Sequence, residues 1–321
     1  MIHAQHLGMD FGSVMALDDA SFAVNQGEVL GLLGPNGAGK STIMKILTTY
    51  LRPTRGQACI CGFDAEKNPI QVRKKIGYLP ENLPLYPEME VGEYLCFVAQ
   101  ARGLHGPLLK KRLEWVLCAT DLVPMFHRPV TQLSKGYRQR TGLAQALIHD
   151  PEVIILDEPT TGLDPHQILE IRALIKTLAK SKTVLFSTHI LHEVEAIADR
   201  VVIINQGRIR AQGSFNELSA MAGVQPLARI QVKALATELC YVVESLGAQI
   251  TTCAEDAHGW QNLYFTAEHS DQVFAGITLA CAEKNWPLRE LYRSAPSLEE
   301  VFLALTRAEQ AKQTERREDC A

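Results

Sequence analysis

The chain has 321 residues, a formal net charge of −4 and a hydrophobic share of 46%. This length favours two domains and an ordinary folded core, and the interspersed, slightly acidic charge speaks against a protein that wraps nucleic acid, which would show a basic stripe. Eight cysteines without a C-x-x-C pair fit reduced thiols serving as small hydrophobes better than a metal site.

The opening Met1–His6 lacks the charged-then-apolar layout of a signal peptide. No run of about 18 apolar residues is present, so any membrane pore is expected on another chain. The first 24 residues and residues 57–62 alternate as antiparallel strands do. Val29–Leu33 is a continuous apolar run, which predicts a buried strand. Gly34-Pro35-Asn36-Gly37-Ala38-Gly39-Lys40-Ser41 follows and fits G-x-x-x-x-G-K-[ST]. Thr42–Leu47 then has helical spacing. Strand, glycine loop and helix together predict a phosphate cradle. The glycines let backbone N–H groups converge on an anion, and the helix N-terminus adds its dipole. Lys40 is placed to reach the β- and γ-phosphates of a nucleoside triphosphate, and the Ser41 hydroxyl to ligate Mg²⁺.

Residues 84–149 read as mostly helical, an insert on an α/β core. Val153–Leu156 and Thr183–Phe186 read as further central parallel strands, buried on both faces. Asp157 and Glu158 end the first of these. Asp157 is expected to hold Mg²⁺, and Glu158 to polarise an attacking water, the division of labour that phosphoryl transfer requires. Asp164 reads as an N-cap with Pro165 in the first helical position. Val201–Ala211 reads as a hairpin turning at Asn205-Gln206-Gly207. From about residue 226 the predicted order is β-α-β-β-α-β, the split ferredoxin-like arrangement. Ser297-Leu298-Glu299-Glu300 is a capping box opening a last helix, and the polar tail from 307 to 321 is expected to be disordered.

The ordered motifs resemble the ATP-binding-cassette (ABC) family from residue 1 to about 220. Leu133-Ser134-Lys135-Gly136-Tyr137-Arg138-Gln139 resembles its signature L-S-G-G-Q. Thr161-Gly162-Leu163-Asp164 resembles the D-loop, and Thr188-His189 the switch histidine. Phe11, ahead of the first central strand, resembles the aromatic that stacks on adenine. Glu81 stands where the family usually has the Q-loop glutamine.

The resemblance implies an α/β P-loop cassette over 1–220, with a mixed sheet, an antiparallel β subdomain and the helical insert at 84–149. An α+β accessory domain is expected at 226–306. It also implies ATP and Mg²⁺ as cofactors. Phe11, Gly34 through Thr42, Ser134, Gly136 and Asp164 would meet nucleotide, with Ser134 and Gly136 doing so from the opposite subunit. Ser41, Asp157 and Glu81 would meet the metal, and Lys40, Glu158 and His189 would be catalytic. Lys135, Tyr137 and Glu81 depart from the family pattern. Lys135 could add a cation near nucleotide or point to solvent, and Glu81 puts a full charge where an amide is usual. The variants look like exporter-type ATPases that serve separately encoded permeases, among them gliding-motility and multidrug or polysaccharide export members. A transport motor, working as a dimer on the cytoplasmic face of the membrane through a permease and without nucleic acid, is therefore expected. A ribosome- or DNA-directed ABC ATPase and an ATP-binding protein that does not hydrolyse are the alternatives. The single cassette speaks against the first, and Glu158 with His189 against the second.

Overall fold

A computed structural model describes residues 1–223, 227–267, 270–294 and 298–305. In chain order, β1 (Ile2–Asp10), β2 (Met15–Val24), β3 (Val29–Leu33), α1 (Lys40–Leu47), β4 (Arg55–Ile60), β5 (Phe63–Asp64), α2 (Pro69–Lys75) and β6 (Ile76–Leu79) come first. Then follow α3 (Val91–Ala101), α4 (Gly106–Ala119), α5 (Lys135–Leu147), β7 (Val153–Asp157), α6 (Pro165–Ala179), β8 (Thr183–Thr188), α7 (Leu191–Ile197), β9 (Arg200–Asn205) and β10 (Arg208–Gly213).

Continuous apolar runs can be strands only where both faces are covered. β3, β7 and β8 are buried at every position and lie in the middle of a six-stranded sheet of order β10-β9-β3-β8-β7-β6. Its neighbours are parallel from β9 to β6, with β10 antiparallel at the edge. The alternating N-terminal segment pairs separately, as the antiparallel sheet β2-β1-β4-β5. Ile2, Leu7, Phe22 and Ile60 of that sheet share one core with Leu32, Ile43, Ile155 and Leu185. The predicted hairpin turns at Gln206 and Gly207, both with φ near +50 to +73°, as a two-residue primed turn requires. Gly207 also donates its N–H to Ala38 O at 3.0 Å, which ties this turn to the glycine loop.

The sheet order places the site. β8 lies between β3 and β7, with Leu33 opposite Thr188 and Asp157 opposite Ser187. The glycine loop, the Asp157-Glu158 pair and His189 therefore leave three adjacent strands at the same, carboxyl end, where open α/β sheets bind ligands.

Half-buried in the same unit, His149 Nε2 donates to Ile76 O at 2.9 Å. Burial and the nearby Arg102 guanidinium push its pKa down to about 4. Its ordinary value is near 6.5, so between pH 6.5 and 4 the unfolded chain binds a proton that the folded chain refuses. Stability from this group is complete above pH 6.5 and is lost on acidification, by about 3 kcal/mol across the window. Urea midpoints of the wild type should fall between pH 7 and pH 5, and His149→Gln should flatten that fall.

The chain divides at Phe215/Asn216 into two compact units. α8 (Phe215–Ala222) begins at that division, and the second unit continues with β11 (Leu227–Val232), α9 (Ala236–Ser245), β12 (Gln249–Glu255), β13 (Gln261–Thr266), α10 (Ser270–Glu283) and β14 (Leu288–Ser294). The sheet order is β12-β13-β11-β14, antiparallel throughout. Leu239, Val243, Val273 and Ile277 of the two helices pack on Ile230, Leu263 and Phe265. Trp286 joins that core from its edge, and Trp260 carries the Arg289 guanidinium 4.0 Å from its ring centroid. Residues 298–305 are helical. The proposed cap Ser297 and the tail from 307 lie outside the described residues.

Candidate functional site

The glycine loop is shaped by its neighbours. Gly39 has φ +107° and a Cβ there would meet Ala16 O at 2.7 Å, while a Cβ on Gly34 would run into Ile204 O. Only glycine fits both positions. α1 begins immediately after the loop, at Lys40, so its free N–H groups face a concave backbone. The loop borders a cavity of about 390 Å³ lined by Asn36, Gly37, Gly39, Lys40, Ser41 and Thr42, and across from them by Ala16, Glu81, Glu158, Thr161 and His189.

Lys40 is only 5% exposed. Its ammonium donates to Gly34 O at 2.7 Å and Pro35 O at 3.2 Å, and lies 3.4 Å from Glu158 Oε1. A lysine has three donors; two here meet carbonyl oxygens, and the Glu158 carboxylate balances the charge. The Glu158 backbone has φ +50°, a conformation rare for a residue with a side chain and concentrated at functional sites. It aims the carboxylate back at the glycine loop. Glu158 Oε2 accepts from Thr161 Oγ1 at 2.9 Å and lies 2.7 Å from His189 Nδ1. A carboxylate can only accept, so Nδ1 carries a proton and donates. His189 is 43% exposed at its side chain, open to whatever enters the cavity.

Asp157 Oδ1 accepts from Ser187 Oγ at 2.6 Å and from Ser41 Oγ at 3.3 Å. Ser187 Oγ in turn accepts from the Glu158 N–H at 3.0 Å. Ser41 and Asp157 thus present hard oxygen donors side by side, a set that suits Mg²⁺. Tyr78, on β6, has its phenol pushed upward by burial and by the Asp157 and Glu81 charges.

Phe11, Ser134, Gly136 and Asp164 do not line the cavity. Phe11 sits in the β1–β2 turn and is 54% exposed. Ser134 N-caps α5, and Asp164 N-caps α6 by accepting from Gln167 N–H at 2.9 Å. Gly136 leaves room for the Gln167 side chain, which a Cβ would strike. Lys135 is exposed, and its Nζ lies beside Gly162 of the same chain. Tyr137 carries the Arg140 guanidinium 5.8 Å from its ring centroid.

Sequence reasoning missed four contributors. Thr161 bonds Glu158, Ser187 joins Asp157 to the Glu158 backbone, Gln139 donates to Pro159 O at 2.9 Å, and Glu193 is buried behind the site. The signal for Glu193 was present. It falls i, i+4 with Ile197 on the buried side of α7, where a charge has no place without partners.

Comparison with known proteins gives the same picture. Residues 17–161 match the family model for ABC transporters. The ATP-binding protein NatA of Bacillus subtilis is 39% identical over 64% of this chain and 84% of its own. The doxorubicin resistance ATP-binding protein DrrA of Mycobacterium tuberculosis is 35% identical over 92% of this chain and 89% of its own. Among solved structures, the ATP-binding cassette MJ0796, a dimer in a post-hydrolysis state bound to ADP and Pi, superposes with a TM-score of 0.61 at 25% identity over 67% of this chain and 98% of that one. With a relative above 30% identity matched over most of its length, this chain belongs to the ABC transporter family as an ATP-binding subunit.

Proposed function

We propose that this chain is the ATP-hydrolysing motor of a membrane exporter, working on a separate permease and pairing with a second ATPase subunit across each nucleotide. One observation carries the reading: Glu158, aimed by a left-handed backbone, meets Lys40, Thr161 and His189 over the glycine loop. Lys40 and the loop N–H groups would hold the β- and γ-phosphates. Glu158 would take the proton of the attacking water, and His189 Nδ1–H would fix the carboxylate that does so. Mg²⁺, held by Ser41 and Asp157 with Glu81 at the rim, would neutralise charge on the phosphates.

Among the described residues the cavity is walled by the first unit, and Ser134 and Gly136 of the signature do not line it. That arrangement supports a second subunit supplying the signature, as in a head-to-tail pair. Among the described residues no helix is long and apolar enough to cross a membrane; a peripheral place at the cytoplasmic face, through the permease, is the reading that family membership supports. DrrA, named for doxorubicin resistance, supports export as the direction.

The test is assembly. With Glu158→Gln to slow turnover, ATP should convert the chain to a dimer in sedimentation. Adding Ser134→Arg should abolish that dimer while leaving monomer ATP affinity within about threefold, because Ser134 would meet only the partner's nucleotide. A Ser134→Arg chain that dimerises normally would show that the signature is not part of the composite site.

A further inference from the structure

We propose that Glu193, a buried carboxylate outside the nucleotide cavity, is a positioning residue that clamps the two loops carrying Glu158 and His189. The proposal rests on the hydrolytic reading of that pair. Glu193 is 1% exposed and lies in the first turn of α7, where the helix dipole favours a negative charge. One oxygen accepts from Thr160 Oγ1. The other accepts from Thr188 Oγ1 at 2.6 Å, and Thr188 Oγ1 itself accepts from the Ile190 N–H at 3.0 Å.

The chain positions matter more than the bonds themselves. Thr160 is two residues past Glu158, and Thr188 immediately precedes His189. Each loop is therefore held by one oxygen of the same carboxylate, while the Glu158 and His189 side chains meet 2.7 Å apart. Among the described residues no lysine or arginine pairs with Glu193, so two hydroxyl donors compensate its buried charge. Such a group is costly to bury, and volume alone would be filled more cheaply by leucine. What the carboxylate adds is two acceptors at a fixed spacing, and hence a fixed distance between the loops.

Glutamine has nearly the same shape but only one acceptor oxygen. Its NH₂ would face one threonine as a donor. Turned toward Thr188, which already accepts from Ile190 N–H, it would leave that hydroxyl proton without an acceptor; turned toward Thr160, it donates to Oγ1 and that bond is reversed. Glu193→Gln therefore keeps two contacts in altered form, whereas Thr160→Val removes one tether outright.

The experiment uses the full chain. ATP turnover and KM for ATP are measured for the wild type, Glu193→Gln, Thr160→Val, Thr160→Ser and, as a control, Glu158→Gln. Thermal melts accompany each. Thr160→Val should lower kcat by about 10- to 100-fold with KM within about threefold, since a small misplacement of the pair costs turnover and not phosphate binding, and Glu193→Gln, in which the Thr160 bond can reverse, should fall between it and the wild type. Thr160→Ser keeps the hydroxyl and should stay within about threefold of the wild-type kcat. If Glu193→Gln does not fold, the Thr160 pair carries the test alone.

Three results overturn the clamp. The first is an unchanged kcat in Thr160→Val while Glu158→Gln is slow. The second is Thr160→Ser as impaired as Thr160→Val, which would assign the effect to the methyl group. The third is kcat and KM worsening together, the mark of a collapsed phosphate site. A wild type that does not hydrolyse ATP, or a Glu158→Gln variant as fast as the wild type, would instead sink the hydrolytic reading and the clamp with it.

Discussion

Lys40→Ala should lower ATP turnover by about 10²- to 10³-fold, the usual cost of deleting one preorganised group that stabilises charge in a transition state. The geometry explains why nothing nearby compensates. The Lys40 ammonium is enclosed by Gly34 O, Pro35 O and Glu158 Oε1, and among the described residues no other lysine or arginine lines the cavity. Removing it leaves two carbonyls and a carboxylate around a site that must accept a polyanion, so affinity for ATP should fall as well. Arginine is a poor substitute, since its planar fork cannot occupy a socket built for a compact point charge. Stability should suffer less than activity. Glu158 keeps the donors Thr161 and His189, and the loss should be about 1–3 kcal/mol. Titration calorimetry with ATP and steady-state turnover check both parts. Turnover within threefold of the wild type would remove Lys40 from the chemistry.

The sequence made the glycine loop, the Asp157-Glu158 pair and His189 legible because each is written locally. The loop needs small residues at fixed offsets, and Asp157 and His189 mark the ends of strands that are apolar throughout. What holds these groups together was not legible. Ser187, Gln139 and Glu193 act across 20 to 33 residues of chain, and no local pattern encodes such pairs. β6 was missed for a related reason. Its four residues include Gly77, whose lack of a side chain lets Ala146 O approach, and a strand that short shows no period. Gly136 shows a different limit. As a residue of the signature it reads as a phosphate contact, yet within the chain its hydrogen makes room for Gln167. One glycine can satisfy both demands, and only the packing reveals the second. Phe11 is placed by its β-turn in solvent, away from the cavity walls, so its role in stacking rests on the resemblance alone.

Glu158→Gln should lower kcat by about 10²- to 10⁴-fold, the range for loss of a general base, while ATP binding holds or tightens. The two halves of this expectation have one cause. The carboxylate is 9% exposed at its side chain and faces the phosphate-binding loop. Before chemistry its negative charge repels an incoming triphosphate. During chemistry the same charge takes the proton from water. The amide removes both effects and keeps the shape, so KM and kcat should move in the same downward direction. A purely structural residue would raise KM as kcat fell. The φ of +50° at this position costs glutamine and glutamate alike, so the strain is not relieved and melting temperatures should stay close. Combining Glu158→Gln with His189→Ala should cost little beyond the single Glu158 change, because His189 Nδ1 donates to that carboxylate and acts through it. Additive losses would separate the two and place His189 directly on the nucleotide.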